Sequence, residues 1–555
     1  MNHNNLQLAP HLIKTTERLT ATIPKFNRNR SYSRGRIRGV ILSPIGWQRF
    51  QAAKQQAELE EIWGKHFTQE NLSARTALFL NTRSRIFKRE QGVARQSLEY
   101  LFQAFRLELT TADFTSPTAS WEELLSQRSN PQQDWDNAVD TSVFYGRERE
   151  LAQLWQWMVS DRCRVVALLG IAGIGKSTLA VKVALQMQAE FEIVVWRSLS
   201  NAPPLDELLS SLLNFFLPIY GEDPAIPNTL DEKFSKLMEY LRSQRCLLIL
   251  DNAEAILQGQ QVGQWRSGYE AYGQFLIALG ETPHQSCCLL TSREKSREIV
   301  LMEGEQSAVK SLFVSGLMLN DARAIFQQKG AFTGSETQWQ ILIDCYGGNP
   351  LALKLVATAT QDLFDGSIAE VLTYLDRGIF VFEDIRHLLD CQFDRLSEGE
   401  QKTLFWFAIY REPVAIADIC ESVVGSVAGK SVPQQINSLI RRSLLKKTDG
   451  LFCLQPYVLA YVTERLIQQI CTELETQQID VLRSHSLIGM PEKDSRREML
   501  LRSIVQPAIE RLLSRLGTVS EIKEVAHKLL EQPSPKTGYL APNLRDILVQ
   551  LQEMS

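Results

Sequence analysis

Residues 170–177 read GIAGIGKS, between the apolar run RVVALL and the helix-forming stretch TLAVKVALQMQ. The pattern G-x-x-x-x-G-K-[ST] in that setting constrains the fold more than any other part of the chain. It needs a buried strand, a tight glycine turn and a helix that begins at the lysine. Gly170, Gly173 and Gly175 let the backbone curl, so that its N–H groups and the positive end of the following helix surround phosphate groups. In such a loop Lys176 reaches the β and γ phosphates, the Ser177 hydroxyl is placed to ligate Mg²⁺, and Thr178 helps hold the α-phosphate.

The rest of the chain is organised around that unit. From Val143 to Leu317, short apolar runs (RVVALLG, FEIVVWRSL, CLLILD, CCLLTS, VKSLFVS) alternate with helical segments, which predicts a mostly parallel sheet covered by helices on both faces. Residues 318–380 return to helical spacing. In 381–465, three helices around IRHLLDCQFDRL, EQKTLFWFAIY and QQINSLIRRSLL lead into two short strands separated by Gly450, the pattern of a winged helix. Residues 466–555 read as further helices broken at EQPSPKTGY. Upstream, residues 1–30 are polar and aperiodic, as expected of a flexible tail. Residues 31–115 form a small all-helical unit with Leu98, Leu101, Phe102, Phe105 and Leu107 on one face, and the Ser/Thr/Pro/Gln/Asn-rich stretch 116–142 reads as a linker. The expected fold class is therefore multidomain α/β plus α: a P-loop NTPase sheet with a helical domain and a winged helix, preceded by a small helical domain.

Composition narrows the function classes. No run approaches 18 apolar residues and the N-terminus lacks signal-peptide features, so a cytoplasmic protein without a membrane partner is expected. The nine cysteines have neither bridge nor metal spacing, and Cys163, Cys246, Cys287 and Cys288 read as reduced core residues. Residues 1–120 hold 18 Lys/Arg against 9 Asp/Glu in a chain of net charge −4, an asymmetry that points either to an acidic partner or to a solvated surface.

CLLILD ends in Asp251, the carboxylate that a phosphate-binding loop needs beside its metal. The next residue is Asn252, which cannot accept a proton, so the nearest candidate base is Glu254; the alternative is a first-turn acid of the following helix. CCLLTSREK places Arg293 at another strand end, where an arginine can sense a γ-phosphate or simply face water. Slow hydrolysis is the expectation.

Taken together, FYGRERE, the phosphate loop, WRSL, LLILD, LLTSRE and GGNPLALKL, in this order, resemble the NB-ARC branch of the STAND signal-transduction ATPases over residues 143–465. That resemblance implies a nucleotide domain, helical domain and winged helix that close around ADP, open with ATP·Mg²⁺ and assemble into oligomers when open. It also implies that Val143, Phe144, Gly146 and Arg147 pack near the adenine, and that Gly348 and Pro350 belong to a motif whose proline abuts the nucleotide. The family's winged-helix histidine, which touches the ADP β-phosphate, is replaced by Gln455 within Leu454-Gln455-Pro456. Residues 42–109 resemble the helix-turn-helix-like domain that precedes NB-ARC modules in some cyanobacterial proteins. There Arg75, Arg83, Arg85, Lys88, Arg89 and Arg95 are candidates for phosphate contacts, and recruitment of a partner protein is the equal alternative. Relatives of this architecture continue into WD or other repeats. None is read before Ser555, so either that sensor is lost or split off, or the helical tail from 466 meets the partner.

The leading expectation is an ATP/ADP-controlled switch for signalling. A DNA-binding transcriptional regulator controlled by ATP is the alternative. A AAA-type ATPase related to origin-recognition proteins is a third class, against which GGNPLALKL argues.

Overall fold

The computed structural model describes residues 132–553 apart from 221–224, 376–382, 489–493 and 532–537, together with 93–110, 113–115 and scattered positions between 40 and 86. The expected tail 1–30, most of the linker, the boundary near 380 and the basic residues Arg83, Lys88 and Arg89 lie outside these. Two units, Met1–Gln127 and Arg128–Ser555, are each described on their own.

In the first unit Leu42, Phe50, Leu72, Ile86, Leu98, Leu101, Phe102 and Phe105 form one core. The helix Arg95–Ala104 buries Leu98, Leu101 and Phe102, as its spacing requires. A two-residue antiparallel pairing, Ile41–Leu42 with Phe114–Thr115, is too short to leave a period in the sequence. Arg75 is an internal residue: it donates to the Ala104 carbonyl at 2.8 Å and lies over the Phe105 ring at 4.7 Å. Arg95 pairs with Glu99 one helical turn on.

The second unit is built on six strands: β1 (Gln132–Asp134), β2 (Val165–Leu169), β3 (Ile193–Ser198), β4 (Cys246–Asp251), β5 (Cys287–Ser292) and β6 (Val309–Phe313). All pairings are parallel, in the order β1-β3-β4-β5-β2-β6. Side chains alternate between two cores: Val166, Leu168, Val194, Trp196, Leu247 and Ile249 face one, and Val165, Ala167, Val195, Leu248 and Leu250 face the other. Both faces are covered, which is why the central strands read as unbroken apolar runs. On one face lies α1 (Lys176–Met187); on the other lie α2 (Leu205–Ile219), α3 (Leu230–Ser243) and α4 (Ala271–Glu281). The linker reading 116–142 is corrected at its end, because Gln132–Asp134 supplies the sheet's edge strand. Three polar residues on an exposed edge carry no hydrophobic signal, and the backbone pairing to β3 holds them.

The first of these cores continues into α5 (Leu319–Gln327), α6 (Glu336–Cys345), α7 (Pro350–Phe364) and α8 (Ile368–Leu375). It then passes into α9 (Glu383–Phe393), α10 (Glu398–Tyr410), α11 (Ile416–Ser422) and α12 (Ser426–Arg441). The antiparallel pair β7 (Leu445–Thr448) and β8 (Leu451–Leu454) follows. Asp449 and Gly450 both have positive φ, 52° and 83°, which the two-residue turn between these strands needs. The 21-residue α13 (Pro456–Thr476) leads into the C-terminal helices.

In the α5–α6 region Phe326 meets Trp339 and Phe332 edge-on, at 5.0 and 5.1 Å between centroids. Phe326 is fully buried. Phe326→Ala should therefore cost about 3–5 kcal/mol of stability, read as a lower denaturant midpoint in tryptophan-monitored unfolding; a midpoint within error of wild type would refute the packing.

Candidate functional site

The phosphate-type loop leaves β2 at Leu169 and enters α1 at Lys176. Gly173 and Gly175 have φ of 75° and 94°, a region that side chains with a Cβ rarely adopt. Five consecutive loop carbonyls have acceptor roles in which the donors come from different parts of the unit. Lys176 Nζ donates to Gly170 O at 2.9 Å and to Ile171 O at 3.2 Å. Asn349 Nδ2 donates to Ala172 O at 2.9 Å, Leu351 N to Gly173 O at 3.3 Å, and Arg147 Nη2 to Ile174 O at 3.0 Å.

Asp251 ends β4 and Thr291 lies on β5, next to it. Asp251 Oδ1 accepts from Ser177 Oγ at 2.7 Å and from Thr291 Oγ1 at 2.5 Å. Burial raises the Asp251 carboxyl above its ordinary range, and these two hydroxyls pull it part of the way back. Asn252 takes a left-handed backbone conformation, φ 62°, and its amide donates to Ser200 Oγ at 2.8 Å and to Asp251 Oδ2 at 3.2 Å. A carboxylate at 252 would face Asp251 as a like charge, whereas the amide supplies two donors.

Glu254 sits on a short turn after Asn252 and does not stand free. Its carboxylate pairs with Arg293 Nε at 2.9 Å and also accepts from the Arg293 backbone N–H at 3.2 Å. The structure thus joins two residues singled out separately as candidate base and candidate phosphate sensor. Thr178 lies half-buried in the first turn of α1.

Upstream, Val143 is largely exposed and Phe144 lies under Lys182 of α1 at 5.5 Å. Gly146 has φ 62°, and a Cβ there would fall 2.3 Å from Asp321 Oδ2. Arg147 is buried and clamps the loop to the Ser315 carbonyl as well as to Ile174.

The Gly347-Gly348-Asn349-Pro350 turn packs directly against the loop. Asn349 Oδ1 caps α7 through Leu351 N and Ala352 N, its Nδ2 also donates to Tyr457 OH at 3.3 Å, and Pro350 lies 3.9 Å from where a Gly175 Cβ would be. Gln455 packs on Gly347; its Oε1, like the Tyr346 hydroxyl, is buried with no hydrogen-bond partner among the described residues. Asn349, Thr291, Ser200 and Tyr457 were not singled out by sequence reasoning. Only Asn349 carried a usable signal, an Asn immediately before a Pro that opens a helix. A cavity of about 600 Å³ beside Asp134, Arg197 and Asp206 lies away from this loop, over which Pro350 and Leu351 are packed.

Residues 147–331 match the sequence profile of the NB-ARC domain. Over that stretch the chain is similar to the NB-ARC domain. A WD repeat-containing protein of Nostoc sp. is 38% identical over 481 residues, covering 78% of this chain and 38% of that protein. A disease resistance-like protein of Arabidopsis thaliana is 25% identical over 266 residues, 47% of this chain and 20% of that protein. The chain therefore spans well under half the length of either relative. Among solved structures, a STAND protein with a tetratricopeptide repeat sensor from Pyrococcus horikoshii aligns with TM-score 0.32 and 15% identity, covering 76% of this chain and 60% of that one. No helix among the described residues is long and apolar enough to cross a membrane, and no three or more His, Cys, Asp or Glu side chains among them converge as a metal site would need.

Two tests follow from this loop geometry. A Cβ on Gly316 would lie 1.9 Å from the backbone oxygen of Gly347, so Gly316→Ala should lower the thermal midpoint by several degrees; an unchanged midpoint in calorimetry would show that the turn can move aside. Burial, ahead of the neighbouring charges, pulls the Lys176 ammonium from 10.5 down to about 8. Between those values the unfolded chain binds the additional proton, so stability rises with pH across that window. Lys176→Met removes the titrating group and also its bonds to Gly170 O and Ile171 O, so the midpoint of the nucleotide-free variant relative to wild type should be highest at about pH 7 and decline toward about pH 10. A difference of equal size at both pH values would contradict this.

Proposed function

We propose that this chain is an adenine-nucleotide switch of the NB-ARC/STAND class, holding ADP in a closed state and ATP·Mg²⁺ in an open state competent to assemble. The observation that carries the proposal is the commitment of both carboxylates beside the loop. Asp251 is spent on Ser177, Thr291 and Asn252, and Glu254 on Arg293, while Asn252 offers donors where a base would have to accept. A site that positions phosphate without a ready base suits a long-lived state better than rapid turnover.

In this reading Lys176 serves the β and γ phosphates, Thr178 the α-phosphate, and Val143, Phe144, Gly146 and Arg147 the adenine side. Pro350 abuts the nucleotide, and Gln455 donates a neutral hydrogen bond in the closed form. The Ser177 hydroxyl and the Asp251 carboxylate, 2.7 Å apart, form a hard-oxygen pair that fits Mg²⁺, which when bound neutralises charge between the β and γ phosphates. Arg293 is the γ-phosphate contact and Glu254 the nearest residue able to take a proton, each available only once their mutual pair opens.

The first unit reads better as a docking module for a partner protein than as a DNA reader, because Arg75 and Arg95 are engaged within it. Denaturing the purified protein and quantifying what it releases tests the switch. About one ADP per chain is expected; protein that emerges empty and hydrolyses ATP steadily would overturn the proposal in favour of an enzyme that turns over.

A further inference from the structure

The residue after Arg293 is Glu294, and the peptide between them joins two separate charge systems. On the nucleotide side Arg293 is held to Glu254 by its side chain and its N–H. On the other side the Glu294 carboxylate, nearly fully buried, receives Arg442 Nη1 at 2.5 Å on one oxygen and Arg395 Nη2 at 2.8 Å on the other. Both arginines belong to the 383–454 segment. Arg442, equally buried, also reaches Glu400 Oε1 at 3.1 Å, and the other Glu400 oxygen caps the start of α10 through Ser397 N at 2.7 Å.

Neutral contacts run beside this set. Lys295 N donates to Arg441 O and Arg441 Nη2 to Lys295 O, both at 2.9 Å; Ser443 Oγ donates to Arg293 O at 3.2 Å; Arg395 Nη2 donates to Leu257 O at 3.1 Å. Within β5 and its exit, Ser292 Oγ accepts from Glu294 N and donates to Glu294 O, so residues 292–294 form one rigid turn.

Glu294, Glu400 and Arg442 buried together, with the partly exposed Arg395 at their edge, are a poor choice for adhesion alone, since well-packed apolar side chains of the same volume hold an interface at least as well. What they provide is an abrupt response: withdrawing one member strands the others as unpaired buried charges, so the contact is either whole or open to water. We propose that Glu294 is the moving part of a latch that couples Arg293 to the 383–454 segment. Drawing Arg293 off Glu254 toward a third phosphate shifts the rigid 292–294 turn, removes Glu294 from Arg442 and Arg395, and releases the segment. By reciprocity, opening the latch weakens the hold on ADP. This inference rests on the switch reading above.

The test uses the full chain with Glu294→Gln, Arg442→Met and the double variant, following release of a fluorescent ADP analogue and backbone hydrogen exchange. Each single variant should speed release at least tenfold, and the double variant should add little to either. Faster exchange should be confined to residues 257–260, 293–297, 395–400 and 441–445. Release at the wild-type rate with only a lower thermal midpoint would reduce the set to structural adhesion and overturn the latch. A wild-type chain that takes up no ADP would instead sink the switch reading. The latch would then be judged by exchange alone: it is supported by loss of protection confined to those four stretches and overturned by unchanged or uniform exchange.

Discussion

The phosphate-type loop depends on where its carbonyls go. In a tight loop, peptide groups have two ends, and a backbone whose C=O groups are taken from outside is left with N–H groups to face inward. Here the carbonyls of residues 170–174 accept from Lys176, Asn349, Leu351 and Arg147. Two of these donors lie on the turn that opens α7, and a third sits just ahead of the helix preceding β2. The loop is thus shaped by elements that only the complete second unit can bring together, so the helical region after the sheet is part of the site and not an appendage.

The same economy governs the charged residues. Asp251, Glu254 and Glu294 lie on adjoining strand ends and each is buried, yet each is committed differently: to hydroxyls and an amide, to one arginine, and to two arginines of another segment. Burial raises both Asp251 and Glu294, and the partners named pull both back. A change at any one of the three alters the field at the others, because low dielectric strengthens whatever charge is left unpaired.

Much of this was legible in the sequence because local chemistry dictated it. The central strands read as apolar runs since both faces of the sheet are covered, and the glycine-lysine-serine string sits at the strand-to-helix junction that its backbone needs. What could not be read was set by distance along the chain. Glu254 and Arg293 meet across 39 residues, and nothing near either announces the other. Strand β1 is three polar residues whose only reason to be extended is the edge of β3. Arg75 looked like a surface cation, and only the folded unit shows it lying across Phe105 and Phe67. Periodicity reports which face is buried and is silent about what a charged side chain finds there.

The distribution of thiols has a consequence of its own. Cys163, Cys246, Cys287, Cys288 and Cys471 are all buried, and burial raises every one of them, Cys246 and Cys288 to about 12. Such thiols stay protonated and shielded, and so resist oxidants and alkylating reagents. Of the nine, Cys391 alone is exposed, and it lies on α9, two residues from the end of a helix in the segment that Glu294 holds. Cys345, Cys420 and Cys453 are partly exposed, so Cys391 is the most accessible attachment point for a spectroscopic label, and it lies on that segment.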